Sequence, residues 1–355
     1  MHTKEFNGKF RNNSSVDWRR QVTLVQGESA YSGAAANISV NMSDDVVIQC
    51  PCVIDGVCEL ETLLSQGGMG TAYLGHLIDE PQQRIVLKVP DVSRESVVQL
   101  FESECKMLHE LHHENIVQFR GMGTFSYEGH ELPYLMMKFI PGQSLRQLLA
   151  AKGALTWDEV RLVLRDMLSA LCCMHEKSLC HRDIKPDNII YDDEIGRWVL
   201  VDFGIAKSVN LVRLATCTML TQDSGTWDYM APEQLIGLDT DIRCDIYSLG
   251  KVVWELLIGT VPRAGTRLPS AAGLNVPTDV DVLISRMVEH KPEDRYQSPE
   301  EALAALNEGA KKIEAWNNTK RRTRRALHWS AWGGWYCCRF GIILENWRRI
   351  SRGTV

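Results

Sequence analysis

The segment His181-Arg182-Asp183-Ile184-Lys185-Pro186-Asp187-Asn188 constrains this chain more than any other. From Asp183 to Asn188 it packs a carboxylate, an ammonium and a carboxamide into six residues. Fourteen residues after Asn188, the apolar run Trp198-Val199-Leu200-Val201 ends on Asp202-Phe203-Gly204. A segment that builds a core has no need of polar groups at that density, because each buried one must find a partner. Phosphoryl transfer does need them: one group to take a hydroxyl proton, one to steady the moving phosphate and two to hold a divalent cation.

The 355 residues allow one large domain or two lobes with a full core. Hydrophobic residues at 45% and charged residues at 24% are ordinary for a globular protein. The net charge of -6 is unevenly placed. From Lys311 onward eleven Lys or Arg face two Glu, a net of +9, so residues 1–310 carry -15. A basic tail on an acidic body suggests a partner of its own. The eleven cysteines are an odd number, and Met1 to Arg20 is polar with no apolar core of a secretory signal. The expectation is a cytoplasmic, reducing compartment and free thiols.

Residues 1–57, rich in Asn, Ser, Gly and Ala, read as a largely flexible extension that becomes ordered near Cys50. From about Cys58 to Ala310, strand patterns give way to helix patterns. Strands are expected at Leu60–Leu64, Arg84–Val89 and Tyr134–Ile140, the last ended by Pro141-Gly142. Thr156-Trp157-Asp158-Glu159 fits a capping box. Val160, Val163, Leu164, Met167, Leu168, Leu171 and Met174 then keep a helical period. Asp245 to Leu257 is apolar on more than one side, so that helix is expected to be buried. The order predicts an α+β, bilobal fold: a small sheet-rich lobe over 58–138 with one helix, then a larger helical lobe over 142–310.

The loop Gln66-Gly67-Gly68-Met69-Gly70 lies between strand-like runs, where glycines let backbone amides approach phosphate oxygens. A plain hairpin turn is the competing reading. Lys88 interrupts Ile85-Val86-Leu87-Lys88-Val89, and a lysine in a buried strand needs an anion. The alternative is an edge lysine that snorkels to water. Val97, Phe101, Leu108 and Leu111 form an apolar stripe, and Glu104 falls on it. One Lys88–Glu104 pair would explain both misplaced charges.

Taken together, these segments resemble a eukaryotic-type (Hanks-type) protein serine/threonine kinase from about Cys58 to Ala310. The Gly-Gly-Met-Gly loop and the short stretch between Gly259 and Pro277 look most like bacterial members. The roles that follow are the family's and are not read from spacing. The resemblance implies that Asp183 is the catalytic base, that Asn188 and Asp202 hold Mg2+ (with Mn2+ as the other candidate ion), and that Lys88 binds the ATP phosphates while paired with Glu104. Lys185 would contact the transferred phosphate, as in the serine/threonine branch. Leu64, Gly67, Gly68, Gly70 and Ala72 would cover the nucleotide. Met137 would guard the back of its pocket, and Lys138 to Ile140 would form the hinge beside adenine. Glu233 would pair with Arg295, and Asp245 would brace the catalytic loop. The implied regulatory residues are Arg182, as phosphate receiver, and Thr218 and Thr221, as acceptors for autophosphorylation through a transient homodimer. Protein substrates are the implied partners; specific nucleic-acid binding is not expected. A pseudokinase or scaffold is the alternative class, although every catalytic group named above is present.

The chain departs from the family pattern at Ser65, where the first loop glycine is usual, and at Ala72, where a valine packs on adenine. The latter loses roughly 1 kcal/mol of apolar packing. Trp227-Asp228 and Lys138 also depart from it. Cys50, Cys52 and Cys58 could supply three zinc ligands, but no nearby fourth completes a structural site. Residues 311–355 form a basic tail whose apolar stretch, Ala326 to Leu344, is interrupted by His328, Gly333-Gly334 and Arg339 and flanked by basic residues on both sides. Those flanks disfavour a span. A peripheral segment on an anionic membrane surface, a packed tail and a disordered tail are the remaining readings. The lipid reading predicts that residues 311–355 float with anionic liposomes at low salt; no flotation at low or high salt ends it. The regulatory reading predicts phosphate between Lys207 and Thr226 in a fully active preparation, read by mass spectrometry.

Overall fold

The computed structural model describes residues 47–67, 70–93, 95–202, 227–238, 240–263, 265–274 and 276–309. Six antiparallel strands form the first lobe: β1 (Cys52–Ile54), β2 (Cys58–Gly67), β3 (Gly70–Leu77), β4 (Arg84–Pro90), β5 (Phe119–Tyr127) and β6 (His130–Lys138). Their order is β1-β2-β3-β4-β6-β5. The short β1 comes from within the stretch read as an extension. Just before it, the backbone N–H groups of Ile48 and Gln49 donate to the hydroxyls of Tyr73 (2.8 Å) and Tyr127 (3.0 Å).

Strand β6 begins earlier and stops sooner than the apolar run Tyr134–Ile140 suggests. Glu128 (φ 50°) and Gly129 (φ 83°) close a two-residue hairpin, which pairs Tyr127 with His130 and carries polar residues into the ladder. At the other end, Phe139 leaves the ladder after its N–H bonds Arg84 O at 3.1 Å.

Alternation in β4 decides where the lysine points. Ile85, Leu87 and Val89 are buried in the outer cluster of the sheet with Tyr73, Leu132 and Met136. The period of two therefore puts Val86 and Lys88 on the opposite face, toward helix α1 (Glu95–Glu110). There Phe101, Cys105 and Leu108 are buried, and Glu104 shares their stripe at 5% exposure.

The second lobe is built on α2 (Leu145–Lys152), α3 (Trp157–Glu176), a β7–β8 hairpin (Ile189–Asp192 and Arg197–Leu200), α4 (Pro232–Leu235), α5 (Arg243–Ile258), α6 (Thr278–Met287) and a last helix, α7, over 299–309. The Glu159 carboxylate reaches back to the Thr156 N–H (2.9 Å) and hydroxyl (2.7 Å), closing the first turn of α3. Every apolar residue of the α3 pattern, from Val160 to Met174, is buried. Helix α5 is buried over most of its surface, with Tyr247, Lys251 and Trp254 half-buried along one stripe. It lies so close to α6 that a Cβ at Gly250 would stand 2.7 Å from Met287 Cβ.

Backbone pairing joins the lobes. Val117 N–H donates to Leu200 O and Leu200 N–H to Asn115 O, both at 2.9 Å. The chain then crosses β7 so tightly that a Cβ at Gly142 would lie 1.7 Å from Tyr191 O, which only glycine permits.

Arg295 is fully buried and grips Glu233 in a two-pronged pair at 2.7 and 2.8 Å. It also donates to the carbonyls of Glu289, His290 and Arg243, so every prong has an acceptor. Removing one partner of such a pair strands a charge in the interior. Arg295→Ala should therefore lower the unfolding free energy by about 3–5 kcal/mol in urea denaturation.

Candidate active site

The groups singled out in the sequence meet where β4, α1, the loop after α3 and the end of β8 converge. Lys88 Nζ lies 2.8 and 3.0 Å from the two Glu104 oxygens and 2.5 Å from Asp202 Oδ1. Burial alone would lower the Lys88 pKa, but the Asp202 and Glu104 charges overcome it and hold it above the ordinary lysine value. The same Lys88 charge is the main cause that keeps the Asp202 carboxyl below its ordinary value, against burial and with help from Lys185 and His181.

Asp183 and Asn188 are held to each other. Asn188 Nδ2 donates to Asp183 O (2.9 Å) and Oδ2 (3.1 Å), with Asp202 O at 3.4 Å. Lys185 Nζ stands 3.2 Å from Asp183 Oδ2. A short 3-10 turn, Pro186–Asn188, folds the asparagine back, and Val201 N–H donates to Asn188 O at 2.9 Å, tying the loop to the strand that delivers Asp202. Arg182 (φ 65°) and Asp202 (φ 54°) both adopt the left-handed conformation that non-glycine residues avoid.

Asp245 holds that strained loop from below. Its Oδ2 accepts from His181 N–H and its Oδ1 from Arg182 N–H, each at 2.8 Å, and His175 Nε2 lies 3.2 Å from Oδ2. Burial pushes the Asp245 carboxyl up, but His175, His181 and the Arg182 N–H outweigh it and hold it low.

Of the residues expected to cover a nucleotide, Ala72 is the cross-strand partner of Lys88, and Met137 of Val86. Met137 and Ile140 are buried, whereas Leu64 is 45% exposed. Gly67 and Gly70 pair across the β2–β3 turn. A Cβ at Gly70 would meet Val89 O at 2.1 Å, so the close approach of β3 to β4 already demands this glycine. Gly68, Phe203, Gly204, Thr218, Thr221 and the Gly225-Thr226 pair lie outside the described residues. Arg182 Nε has no hydrogen-bond partner among the described residues. Cys50, Cys52 and Cys58 are free thiols, and among the described residues they do not gather as a metal-ligand cluster.

Two polar networks had no reading in the sequence. Arg146 on α2 joins Asp187 (3.2 Å), Glu255 (2.9 Å) and the Tyr229 hydroxyl (2.7 Å), and Tyr229 in turn donates to Glu255 at 2.5 Å. The signal was Glu255, an acid at 3% exposure that interrupts the apolar run Val252-Val253-Trp254-Glu255-Leu256-Leu257. Lys138 spans from β6 to Asp192 (3.1 Å) and Glu194 (2.8 Å) on the β7–β8 hairpin.

The donor set suits a nucleotide with a divalent cation. Asp202 offers carboxylate oxygen, and Asn188 offers its carbonyl oxygen because its nitrogen is committed to Asp183; both are hard donors. Lys88, fixed beside them, supplies positive charge for phosphate oxygens.

A family model described as the protein kinase domain matches residues 58–332. Serine/threonine-protein kinase PrkC of Bacillus subtilis is 29% identical over 269 residues, which cover 71% of this chain and 40% of PrkC. Serine/threonine-protein kinase PknB of Mycobacterium leprae is 30% identical over 268 residues, covering 70% of this chain and 42% of PknB. The chain thus spans about two fifths of the length of these curated relatives. Among solved structures, the PknI kinase domain of Mycobacterium tuberculosis superposes with a TM-score of 0.57 at 25% identity, over 74% of this chain and 99% of that one. The bacterial character of these relatives agrees with the likeness read from the glycine loop.

The depressed Asp245 carboxyl has a consequence for acid stability. A carboxylate whose folded pKa lies below its unfolded value of about 3.9 contributes stability that is complete above that value and is lost as pH falls through the folded one. Urea midpoints measured from about pH 6 down to about pH 3 should fall for the native chain and fall less steeply for Asp245→Asn, which has no proton to take up.

Proposed function

Because the chain belongs to the protein kinase domain family, we propose that it is a protein serine/threonine kinase that transfers the γ-phosphoryl group of ATP to serine or threonine hydroxyls of protein substrates. The convergence of Lys88, Glu104, Asp183, Asn188 and Asp202 within one hydrogen-bonded cluster carries this reading. The family uses ATP and a divalent metal in general; the ion proposed here is magnesium.

In this proposal Asp183 accepts the proton of the attacking hydroxyl. Its Oδ2 is oriented by Asn188 Nδ2 and balanced by Lys185 Nζ, which can follow the phosphoryl group as negative charge builds on it. Lys88, restrained by Glu104, places its ammonium against the nucleotide phosphates. The cation, held by Asn188 and Asp202, would supply charge neutralisation on the phosphates. The direct Lys88–Asp202 contact lets both groups separate to take ligands without leaving a lone buried charge, since Glu104 stays with the lysine. Ala72 supports weaker adenine packing than valine would give.

Trans-autophosphorylation at Thr218 or Thr221, with Arg182 receiving the phosphate, belongs to the same proposal, and Arg182 Nε, without a hydrogen-bond partner among the described residues, supports it. Among the described residues, no helix is long and apolar enough to cross a membrane. Peripheral attachment through the tail is proposed from its sequence.

Transfer of radiolabelled phosphate from ATP to the protein itself and to a basic protein substrate tests the proposal. Asp183→Asn should lower turnover by about 10²–10⁴-fold while leaving the fold intact. Undiminished transfer by that variant removes Asp183 from the reaction; no transfer by the native chain leaves the scaffold alternative.

A further inference from the structure

Two cysteines outside the proposed chemistry flank the support of its central loop. Cys180 Sγ lies 3.3 Å from Cys244 Sγ, although the residues are 64 apart in the chain. Cys180 immediately precedes His181 and Arg182, whose N–H groups are held by Asp245, and Cys244 immediately precedes Asp245. The sulfurs therefore sit one residue from each half of that clamp. Both are free thiols; Cys244 is fully buried, while Cys180 is partly exposed, with Asp241 O 3.7 Å from its sulfur. A partly exposed thiol in contact with a buried one is the arrangement of an attacking and a resolving cysteine.

We propose that Cys180 and Cys244 form a reversible oxidative modification site, which a peroxide closes to a disulfide, and that closing it slows the phosphoryl transfer proposed above. Cys180 thiolate attacks one peroxide oxygen; the O–O bond breaks, and hydroxide leaves as water with the proton Cys180 gave up. The resulting Cys180 sulfenic acid is attacked by the Cys244 sulfur. The S–O bond breaks, the disulfide forms, and the Cys244 proton leaves with the hydroxyl as a second water. Two thiols lose two electrons, and one peroxide is reduced to two waters.

The contact prepares this order. The hydrogen bond from Cys244 is the largest influence favouring thiolate on Cys180, whereas the same bond and burial push the Cys244 thiol well up. Burial and the Asp245 charge still raise Cys180, so closure is slow at neutral pH and faster in mild alkali.

A disulfide needs its sulfurs at about 2.05 Å, so closure draws the two backbones together by an appreciable part of an ångström. The displacement falls beside the left-handed Arg182, and Asp183 is the next residue. Lys88, Glu104 and Asp202 lie on other elements. Closure should therefore lower kcat and leave the KM for ATP nearly unchanged.

The second claim rests on the kinase reading, and the first does not. The reduced full chain is treated with hydrogen peroxide, its remaining thiols are blocked with N-ethylmaleimide, and it is digested without reductant. The expected result is one cross-linked peptide pair holding Cys180 and Cys244, lost with dithiothreitol, and a fall in kcat between about 10-fold and 10²-fold that dithiothreitol reverses. Cys180→Ser and Cys244→Ala should keep the untreated rate and resist peroxide. Recovery of both cysteines alkylated while other thiols oxidise overturns the site. A cross-link with unchanged kcat, or a Cys180→Ser chain that still loses activity to peroxide, overturns the regulation. If the native chain transfers no phosphate, the peptide map alone still decides the site, and the failure belongs to the kinase reading.

Discussion

A fully buried carboxylate, Asp245, is the contact on which the rest of the site depends. A charge at that depth persists only when its lone pairs are taken, and here the acceptors are filled by two successive backbone N–H groups and an imidazole. Those N–H groups can converge on one carboxylate because Arg182 turns left-handed, and the carboxylate in turn offsets the cost of that turn. Asp183 follows directly, so its position is set by a bond made to the first turn of α5, the most buried helix of the lobe. Rigidity at Asp183 is borrowed from the core below it.

The lysine of β4 obeys the same rule from the other lobe. Lys88 is placed on the inner face by strand alternation and is held by an acid from α1 and another from the end of β8. Three elements of distant sequence are thus linked through one ammonium. The backbone pairing of 115–117 with Leu200 keeps β8 in register with the first lobe, so Asp202 arrives beside Lys88. Lys138, bonded to Asp192 and Glu194, adds a side-chain tie between the same two parts.

Much of this was legible before any coordinates. Lys88 and Glu104 stood out because each interrupts an apolar pattern with a charge that burial would penalise, and one pair between them accounts for both. The α3 stripe from Val160 to Met174 and the apolar residues on more than one side of α5 predicted burial correctly, since period and composition act locally. Local rules failed where the outcome depended on a distant strand. The hairpin at Glu128-Gly129 carried polar residues into β6, because ladder pairing with β5 supplied the backbone partners that composition did not advertise. Glu255 carried the same signal as Glu104, but its partner Arg146 lies beside the buried Leu145–Leu149 stripe of a short helix and interrupts no apolar pattern.

The sequence by itself determined the kinds of groups present, their order, and the burial of the helices and strands that carry them, because periodicity and the cost of a buried charge are properties of short segments. Tertiary structure decided which groups touch. It placed the Asp245 carboxylate under His181 and Arg182, set Cys180 against Cys244, and joined Arg146 to Tyr229 and Glu255. Each of these contacts closes a chain loop of roughly sixty residues or more, and such closure is selected by the packing of the whole core, for which no short stretch of sequence holds the information.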